Sequence, residues 1–281
     1  MDFRLLSAYQ TRDLLAARDA GLSQVDISLD LGLSSSRVRI TPDGVYLPDG
    51  VFLPWAEIDR VQANPQAVFR VTDAGETEKI QVFSEAFGRL YSLMPTEGAP
   101  TMLISGIPMH RIKGTDPIRD THSKVKAAAP KGRVLDTCTG LGYTAIEAAR
   151  RAGEVVTVEL DPAVIEICRM NPWSQTLFES PNLTQLIGDS FDLIADFEDA
   201  SFDRIIHDPP MFNLAGHLYS TAFYRELHRV LKRGGRVFHY IGDLRSKSGR
   251  NVARSAARRL HEAGFRTVKR RPEAFGLVAF K

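Results

Sequence analysis

The chain is 281 residues long, yet no apolar run approaches the roughly 20 residues that a bilayer-spanning helix needs. Its start, Met1-Asp2-Phe3-Arg4, lacks the basic-then-apolar layout of a secretory signal. It has two cysteines, Cys138 and Cys168, without metal-ligand spacing, so neither a disulfide framework nor a metal site is expected. These absences predict a cytoplasmic protein with reduced thiols, no membrane association and no metal. Internal repeats and low-complexity tracts are missing too, which argues against a solenoid or a disordered tail.

What is present is an ordinary globular composition, 43% hydrophobic and 25% charged. That suffices for one large domain or two modest ones. The net charge of +2 conceals a separation. Residues 225–281 hold 16 Lys/Arg against 4 Asp/Glu, leaving 20 against 30 in the rest. A basic C-terminal region suits a polyanionic partner such as RNA. It is equally a solvated surface balanced by acids nearby in space.

Residues 1–100 show a helix over 11–20, ended by Gly21, and short β-type runs over 25–31, 38–40, 45–47, 51–53 and 67–72. Turn signals such as Pro42-Asp43-Gly44 and Pro48-Asp49-Gly50 separate them. The spacing is too short for βαβ crossovers, so a small α+β, mostly β accessory domain with antiparallel pairing is expected. Residues 101–131 read as a connector, either a lid over a ligand mouth or a solvated linker. From 132 to 281 the texture changes. Strands over 132–136, 155–159, 183–187, 203–207 and 236–241 alternate with helices over 143–152, 162–170, 222–231 and 251–263. A strand pair over 265–269 and 276–280 closes the chain. The pattern predicts an α/β domain with a doubly wound, mostly parallel sheet whose strand C-termini line one ligand-binding edge.

The first of these strands runs into Asp136-Thr137-Cys138-Thr139-Gly140-Leu141-Gly142-Tyr143. Its glycines let the backbone approach a ligand closely and turn into a helix. The third glycine of the dinucleotide fingerprint is absent, because Ala145 stands there, which counts against NAD or FAD. The second strand ends at Glu159-Leu160, where an acid can accept hydrogen bonds from both hydroxyls of a ribose. The third ends at Asp189-Ser190, where an acid can accept a bond from an adenine amino group. Any one of these acids is also explicable as a surface carboxylate; three at successive strand ends are harder to explain that way.

With these residues the chain resembles the class I S-adenosylmethionine (SAM)-dependent methyltransferases over about 150 residues. The resemblance implies a Rossmann-like seven-stranded sheet, including the terminal strand pair, and SAM as cofactor. It implies that Asp136 and the Gly140–Gly142 backbone face the methionine part of SAM, with Glu159 at the ribose and Asp189 at the adenine. Thr139, Tyr143, Leu160 and Ser190 complete the expected cofactor set.

The fourth strand ends in Asp208-Pro209-Pro210-Met211-Phe212. Consecutive prolines force the chain out of the sheet and stiffen it. A fixed carboxylate beside a fixed carbonyl can accept both hydrogens of an exocyclic amine and aim its lone pair, which is catalysis by orientation. Phe212 could stack on a flat base; a structural proline turn with a core Phe is the bland alternative. The run resembles the (Asn/Asp)-Pro-Pro-aromatic motif of amino-methylating enzymes, with the aromatic displaced by one residue. Asp208, Pro209, Pro210 and Phe212 are therefore the expected catalytic residues. His207 is expected to be structural, and Trp173 either covers the adenine or packs in the core.

For the acceptor, Asp116, Thr121 and Lys124 in the connector are candidate substrate contacts. So are Arg250 and Arg254 on a helix whose apolar stripe is Val252, Ala256 and Leu260. The leading expectation is methylation of an amino nitrogen on an RNA base, with phosphates held by the basic region. A second is a small-molecule methyl- or aminopropyltransferase, since a β domain ahead of a SAM-type domain is similar to the aminopropyltransferases of polyamine synthesis. Those use decarboxylated SAM and call for an acidic amine pocket. A third is a non-catalytic nucleic-acid-binding protein on the same fold.

Overall fold

The structure is a computed structural model and describes residues 3–210 and 215–281. The chain forms two compact units, Met1–Ile118 with Glu166–Gln175, and Arg119–Ile165 with Thr176–Lys281.

The first unit contains three small antiparallel sheets. One joins Leu5–Leu6, Phe69–Val71 and Thr77–Lys79. The second runs through Gln24–Ile27, Ser36–Thr41, Gly44–Tyr46 and Phe52–Pro54. The third joins Gln81–Ser84, Arg89–Met94, Thr101–Ile104 and Ile107–Pro108. A core of Leu6, Leu14, Val38, Leu53, Ile58 and Phe69 packs two helices, Ala8–Asp19 and Trp55–Gln62, against the strands. The first helix starts three residues before the expected position. Ser7 caps it: the Tyr9 N–H donates to the Ser7 hydroxyl and the Ser7 N–H donates to the Gln10 side chain. Residues 101–131 are not a bare connector. They hold the last hairpin of the third sheet and a whole helix, α1 (Pro117–Ala128). Trp173 donates its indole N–H to the Leu31 carbonyl at 3.0 Å, so its role in this unit is structural.

The second unit is built on one seven-stranded sheet. Its strands are β1 (Arg133–Asp136), β2 (Glu154–Glu159), β3 (Leu183–Ile187), β4 (Phe202–His207), β5 (Leu231–Tyr240), β6 (Thr267–Arg271) and β7 (Gly276–Phe280). The order is β3-β2-β1-β4-β5-β7-β6, with β7 antiparallel to both neighbours and the remaining pairs parallel. This is the doubly wound sheet that the strand pattern implied, in the Rossmann-like methyltransferase form that the family resemblance implied. Val155–Val158 is buried without alternation, as a parallel strand covered on both faces must be. Helices α2 (Tyr143–Ala149), α4 (Thr221–Val230) and α5 (Lys247–Glu262) lie between the sheet's strands in chain order, as does α3 (Pro162–Met170), whose residues from Glu166 on belong to the first unit.

Helix α5 begins four residues before the expected 251. Ser246 caps it by accepting the Gly249 N–H at 2.9 Å, and Gly249 is required because a Cβ there would lie 1.9 Å from the Asp243 carbonyl. The buried stripe is consequently Gly249, Ala253, Ala256 and Leu260. Val252 is only half-buried, which corrects its place on the expected stripe.

Beneath the sheet edge lies a buried polar relay. His207 donates from Nε2 to the Leu218 carbonyl (3.0 Å) and accepts the Thr137 hydroxyl at Nδ1 (2.7 Å). His239 donates from Nδ1 to the His207 carbonyl and accepts the Tyr224 hydroxyl at 2.7 Å. Both rings are fully hydrogen-bonded in the neutral form. Burial pushes His239 down to about 3, and burial with the neighbouring His239 lowers His207 well below the ordinary range. A histidine that stays neutral when folded but charges when unfolded costs stability as pH falls through its unfolded value. The stability advantage of the wild type over His239→Gln should therefore shrink by up to about 1.4 kcal/mol per pH unit below about pH 6.5. Urea unfolding at several pH values checks this; a constant difference would contradict it.

Candidate active site

The parallel order β3-β2-β1-β4 sets four carboxylates in a row at the C-terminal strand ends. Asp189 follows β3, Glu159 ends β2, Asp136 ends β1 and Asp208 follows β4.

The glycine loop turns through left-handed backbone at Gly140 (φ 52°) and Gly142 (φ 78°). A Cβ on Gly142 would also meet the Leu177 side chain at 2.9 Å, so both conformation and space call for glycine. Glu159 closes this loop from the neighbouring strand, accepting the Gly140 N–H at 2.9 Å and the Asp161 N–H at 3.2 Å. Burial raises its pKa to about 7 against those bonds. The Thr139 hydroxyl is buried against that of Thr157 at 2.7 Å, and Tyr143 is buried in the first turn of α2.

Asp136 is fully buried. Its Oδ2 accepts the hydroxyls of Thr144 (2.9 Å) and Thr157 (3.3 Å), while its Oδ1 is buried with no hydrogen-bond partner. Burial raises its pKa to about 8; the Thr144 hydroxyl opposes that rise and Asp208 adds to it. Such a group carries a proton when alone and would hold a cation in its ionised form.

Asp189 caps the short helix Ser190–Leu193 through the Phe191 N–H at 2.8 Å. His217 Nε2 lies 3.0 Å from its carboxylate, a partner that no pattern in the sequence announces. The Ser190 hydroxyl is buried and donates to the Thr137 carbonyl, so it supports the loop. Leu160 (37%), Ile187 (49%) and Phe191 (36%) are unusually exposed for large apolar side chains. All three sit at or just beyond the ends of β2 and β3, beside Glu159 and Asp189. Phe191 meets His217 edge-on at 5.8 Å.

Asp208 pairs with Lys124 of α1, whose Nζ donates to Oδ2 at 2.6 Å. Lys124 also pairs with Asp120, one turn earlier, at 2.9 Å, and lies 4.4 Å from the centre of the Tyr240 ring. The end of α1 is tied to β4 by Arg204, which donates to the Ala129 carbonyl at 3.1 Å. Burial lowers the Lys124 pKa, but Asp208 and Asp120 outweigh it and the ammonium is held above its ordinary range. Pro209 is buried; Pro210 is exposed, and its carbonyl accepts the Tyr219 hydroxyl at 3.1 Å. Phe212 lies outside the described residues.

The structure thus gathers Asp136, Gly140, Gly142, Glu159, Leu160, Asp189 and Asp208 along one edge, with Lys124 on Asp208. Thr121 is buried in α1. Asp116 precedes α1 and accepts the Ile118 N–H at 2.9 Å, as a capping residue does. Arg250 and Arg254 are exposed on α5. Asp120, Tyr219, Tyr240 and His217 join the site from outside the strand-end motifs. Only the Asp120–Lys124 pair carries a readable signal in the sequence, opposite charges four residues apart on a helix. Among the described residues no group of His, Cys, Asp and Glu is arranged to hold a metal.

A carboxyl whose folded pKa is raised stabilises the fold at low pH and loses that contribution as pH rises through the folded value. Asp136 should make the unliganded protein lose up to about 1.4 kcal/mol per pH unit between about pH 4 and 8. Asp136→Asn should remove that slope, measured as the pH dependence of unfolding of variant against wild type. Parallel curves for the two proteins would reject the assignment.

Residues 134–235 match a family described as a methyltransferase domain. The chain is 48% identical over 210 residues to the "Uncharacterized protein MJ1233" of Methanocaldococcus jannaschii, covering 74% of this chain and 71% of that one. It is 36% identical over 130 residues to the polyamine aminopropyltransferase of Mycobacterium tuberculosis; that match covers 43% of this chain and only a quarter (25%) of the relative. Among solved structures, a spermidine synthase in complex with a transition-state analogue superimposes with a TM-score of 0.59 at 18% identity, over 74% of this chain and 77% of that one. The spermidine synthase of Thermotoga maritima gives 0.55 at 18%, over 74% and 76%. At that identity the two structures attest the fold alone. The chain belongs to the family of the Methanocaldococcus jannaschii protein MJ1233 and carries a methyltransferase-type domain on its Rossmann-like sheet.

Proposed function

We propose that the second unit binds a sulfonium donor of the SAM type and transfers an alkyl group, methyl or aminopropyl, to an amine nitrogen of a small molecule. The observation that carries this reading is the buried Asp136, with an unpartnered oxygen, in a row of strand-end carboxylates that includes Asp208. Such an edge seeks cations, and a sulfonium donor with an ammonium tail is one.

In this reading Asp136 holds the donor's ammonium and Glu159 its ribose hydroxyls. Asp189 takes the adenine amino group between Leu160, Ile187 and Phe191. The bound donor supplies a carbon made electrophilic by its sulfonium. Asp208 has one oxygen on Lys124, and its other oxygen accepts an N–H of the amine and points the lone pair at that carbon. The new N–C bond forms as the S–C bond breaks, the electron pair stays on sulfur, and the amine's proton leaves through Asp208 to solvent.

An amine is favoured over the RNA base by two observations. The acidic row attracts a cationic acceptor, and a relative matching 130 residues of the chain is named a polyamine aminopropyltransferase. The segment 136–144 contains no Lys or Arg, and Lys124 is shared between Asp120 and Asp208. A donor tail ending in an ammonium alone, as in decarboxylated SAM, fits that surrounding better than one that also carries a carboxylate. The second reading, an RNA acceptor, draws on the exposed Arg250 and Arg254 of α5, beyond the end of β5.

The deciding experiment incubates the purified protein with SAM or decarboxylated SAM and, separately, with di- and polyamines or total RNA, and reads products by mass spectrometry. An alkylated amine is expected; product on RNA alone would select the second reading, and no product with any acceptor would sink both. Asp208→Ala should abolish turnover while sparing donor affinity. Glu159→Ala should weaken donor binding roughly 10- to 100-fold, as expected for lost hydrogen bonds to a charged group. Donor binding should also release protons at about pH 7, because Asp136 must ionise to meet the ammonium; calorimetry in buffers of different ionisation enthalpy measures that release.

A further inference from the structure

We propose that Lys124 is a positioning residue for Asp208: its buried ammonium clamps one carboxylate oxygen and keeps the group an acceptor, leaving the other oxygen for the incoming nitrogen. The inference rests on the amine-transfer reading above and assigns a role to a residue outside the strand-end motifs.

The geometry is that of a built clamp. Lys124 is 4% exposed, and a buried ammonium is costly unless its surroundings are arranged for it. Here Asp208 lies at 2.6 Å, Asp120 at 2.9 Å and the Tyr240 ring face at 4.4 Å. Asp120 holds the lysine from its own helix, one turn away, so the ammonium stays in place whatever Asp208 does. The contact of Lys124 with Asp208 is made to one oxygen, Oδ2.

The groups facing Asp208 explain why it needs a cation. Asp136 and Cys138 come from β1 and its loop, Tyr219 from the turn after the proline motif, Tyr240 from β5, and Asp120 with Lys124 from α1. Every one except Lys124 is an acid. Without the ammonium, Asp208 would be a largely desolvated carboxylate beside the Asp120 charge, with only neutral acids for its other neighbours, and would take up a proton. A protonated carboxyl presents a donor where the amine needs an acceptor.

The test compares wild type, Lys124→Met, Lys124→Arg and Asp120→Asn. Each is followed by the pH dependence of kcat/KM, by donor affinity from calorimetry, and by ¹³C NMR titration of labelled aspartate carboxyls. In Lys124→Met the acid limb should move up by at least about one pH unit, a tenfold loss on that limb. Lys124→Arg should restore most of it. Asp120→Asn removes a like charge and leaves the lysine to Asp208, so its limb should move down. Donor affinity should stay within about twofold throughout, whereas a merely structural lysine would weaken it together with turnover. Coincident limbs, or shifts in the same direction for Lys124→Met and Asp120→Asn, would overturn the proposal. Should the wild type alkylate no amine, the functional reading fails, and the NMR titration still judges the clamp: an Asp208 carboxyl titrating at one pH with and without Lys124 rejects it. Should Lys124→Met fail to fold, Asp120→Asn and Lys124→Arg still test the clamp from opposite sides.

Discussion

The parallel pairing of β3, β2, β1 and β4 is the constraint from which the rest of the second unit follows. Parallel strands in register bring all their C-terminal ends to one edge, and here each of the four ends carries a carboxylate. Four acids in a row repel one another and resist burial. The molecule answers each differently. Glu159 accepts two backbone N–H groups, Asp189 meets His217, Asp208 meets Lys124, and Asp136 is left with one oxygen unpartnered. The unsatisfied member sits inside the row, between Glu159 and Asp208.

The histidine relay shows the opposite solution for buried polar groups. His207 and His239 are surrounded by Thr137, Tyr224 and backbone carbonyls in a pattern that the neutral imidazole satisfies completely. Nothing in it remains for a ligand. The relay stiffens the junction of β4 and β5 directly beneath the Asp208-Pro209-Pro210 turn, and the turn is braced again by the Tyr219 hydroxyl on Pro210. A rigid acceptor group standing on satisfied polar supports is what catalysis by orientation requires.

The two ends of the edge differ in chemistry. At the β3 end, exposed Leu160, Ile187 and Phe191 beside Asp189 and His217 offer apolar walls around a hydrogen-bonding tip, suited to a flat heterocycle. At the β4 end, Asp208, Asp120 and Lys124 with Tyr219 and Tyr240 make a charged, aromatic enclosure suited to a nitrogen. In the proposed reading, a donor bridging the two lies along the row with its sulfonium near Asp136 and Asp208.

Much of this domain was determined by the sequence itself. The alternation of apolar strands and helices from residue 132 onward specified the sheet class, and Asp136, the Gly140–Gly142 turn, Glu159 and Asp189 stood out because strand ends are local features. Helix starts were less legible: α5 begins at Lys247 because Ser246 caps it and Gly249 leaves room for the Asp243 carbonyl, a close packing that residue pattern does not display. Residues 101–131 were illegible as structure for the same reason, since a hairpin partner strand and a helix face show their purpose only against what they pack on. What the tertiary structure alone decided is the partnership of charges. Lys124 and Asp208 are 84 residues apart, and His217 is 28 from Asp189. No local propensity couples such residues. Only the folded sheet brings them within hydrogen-bond reach, and the burial of Lys124 makes its pairing with an acid obligatory.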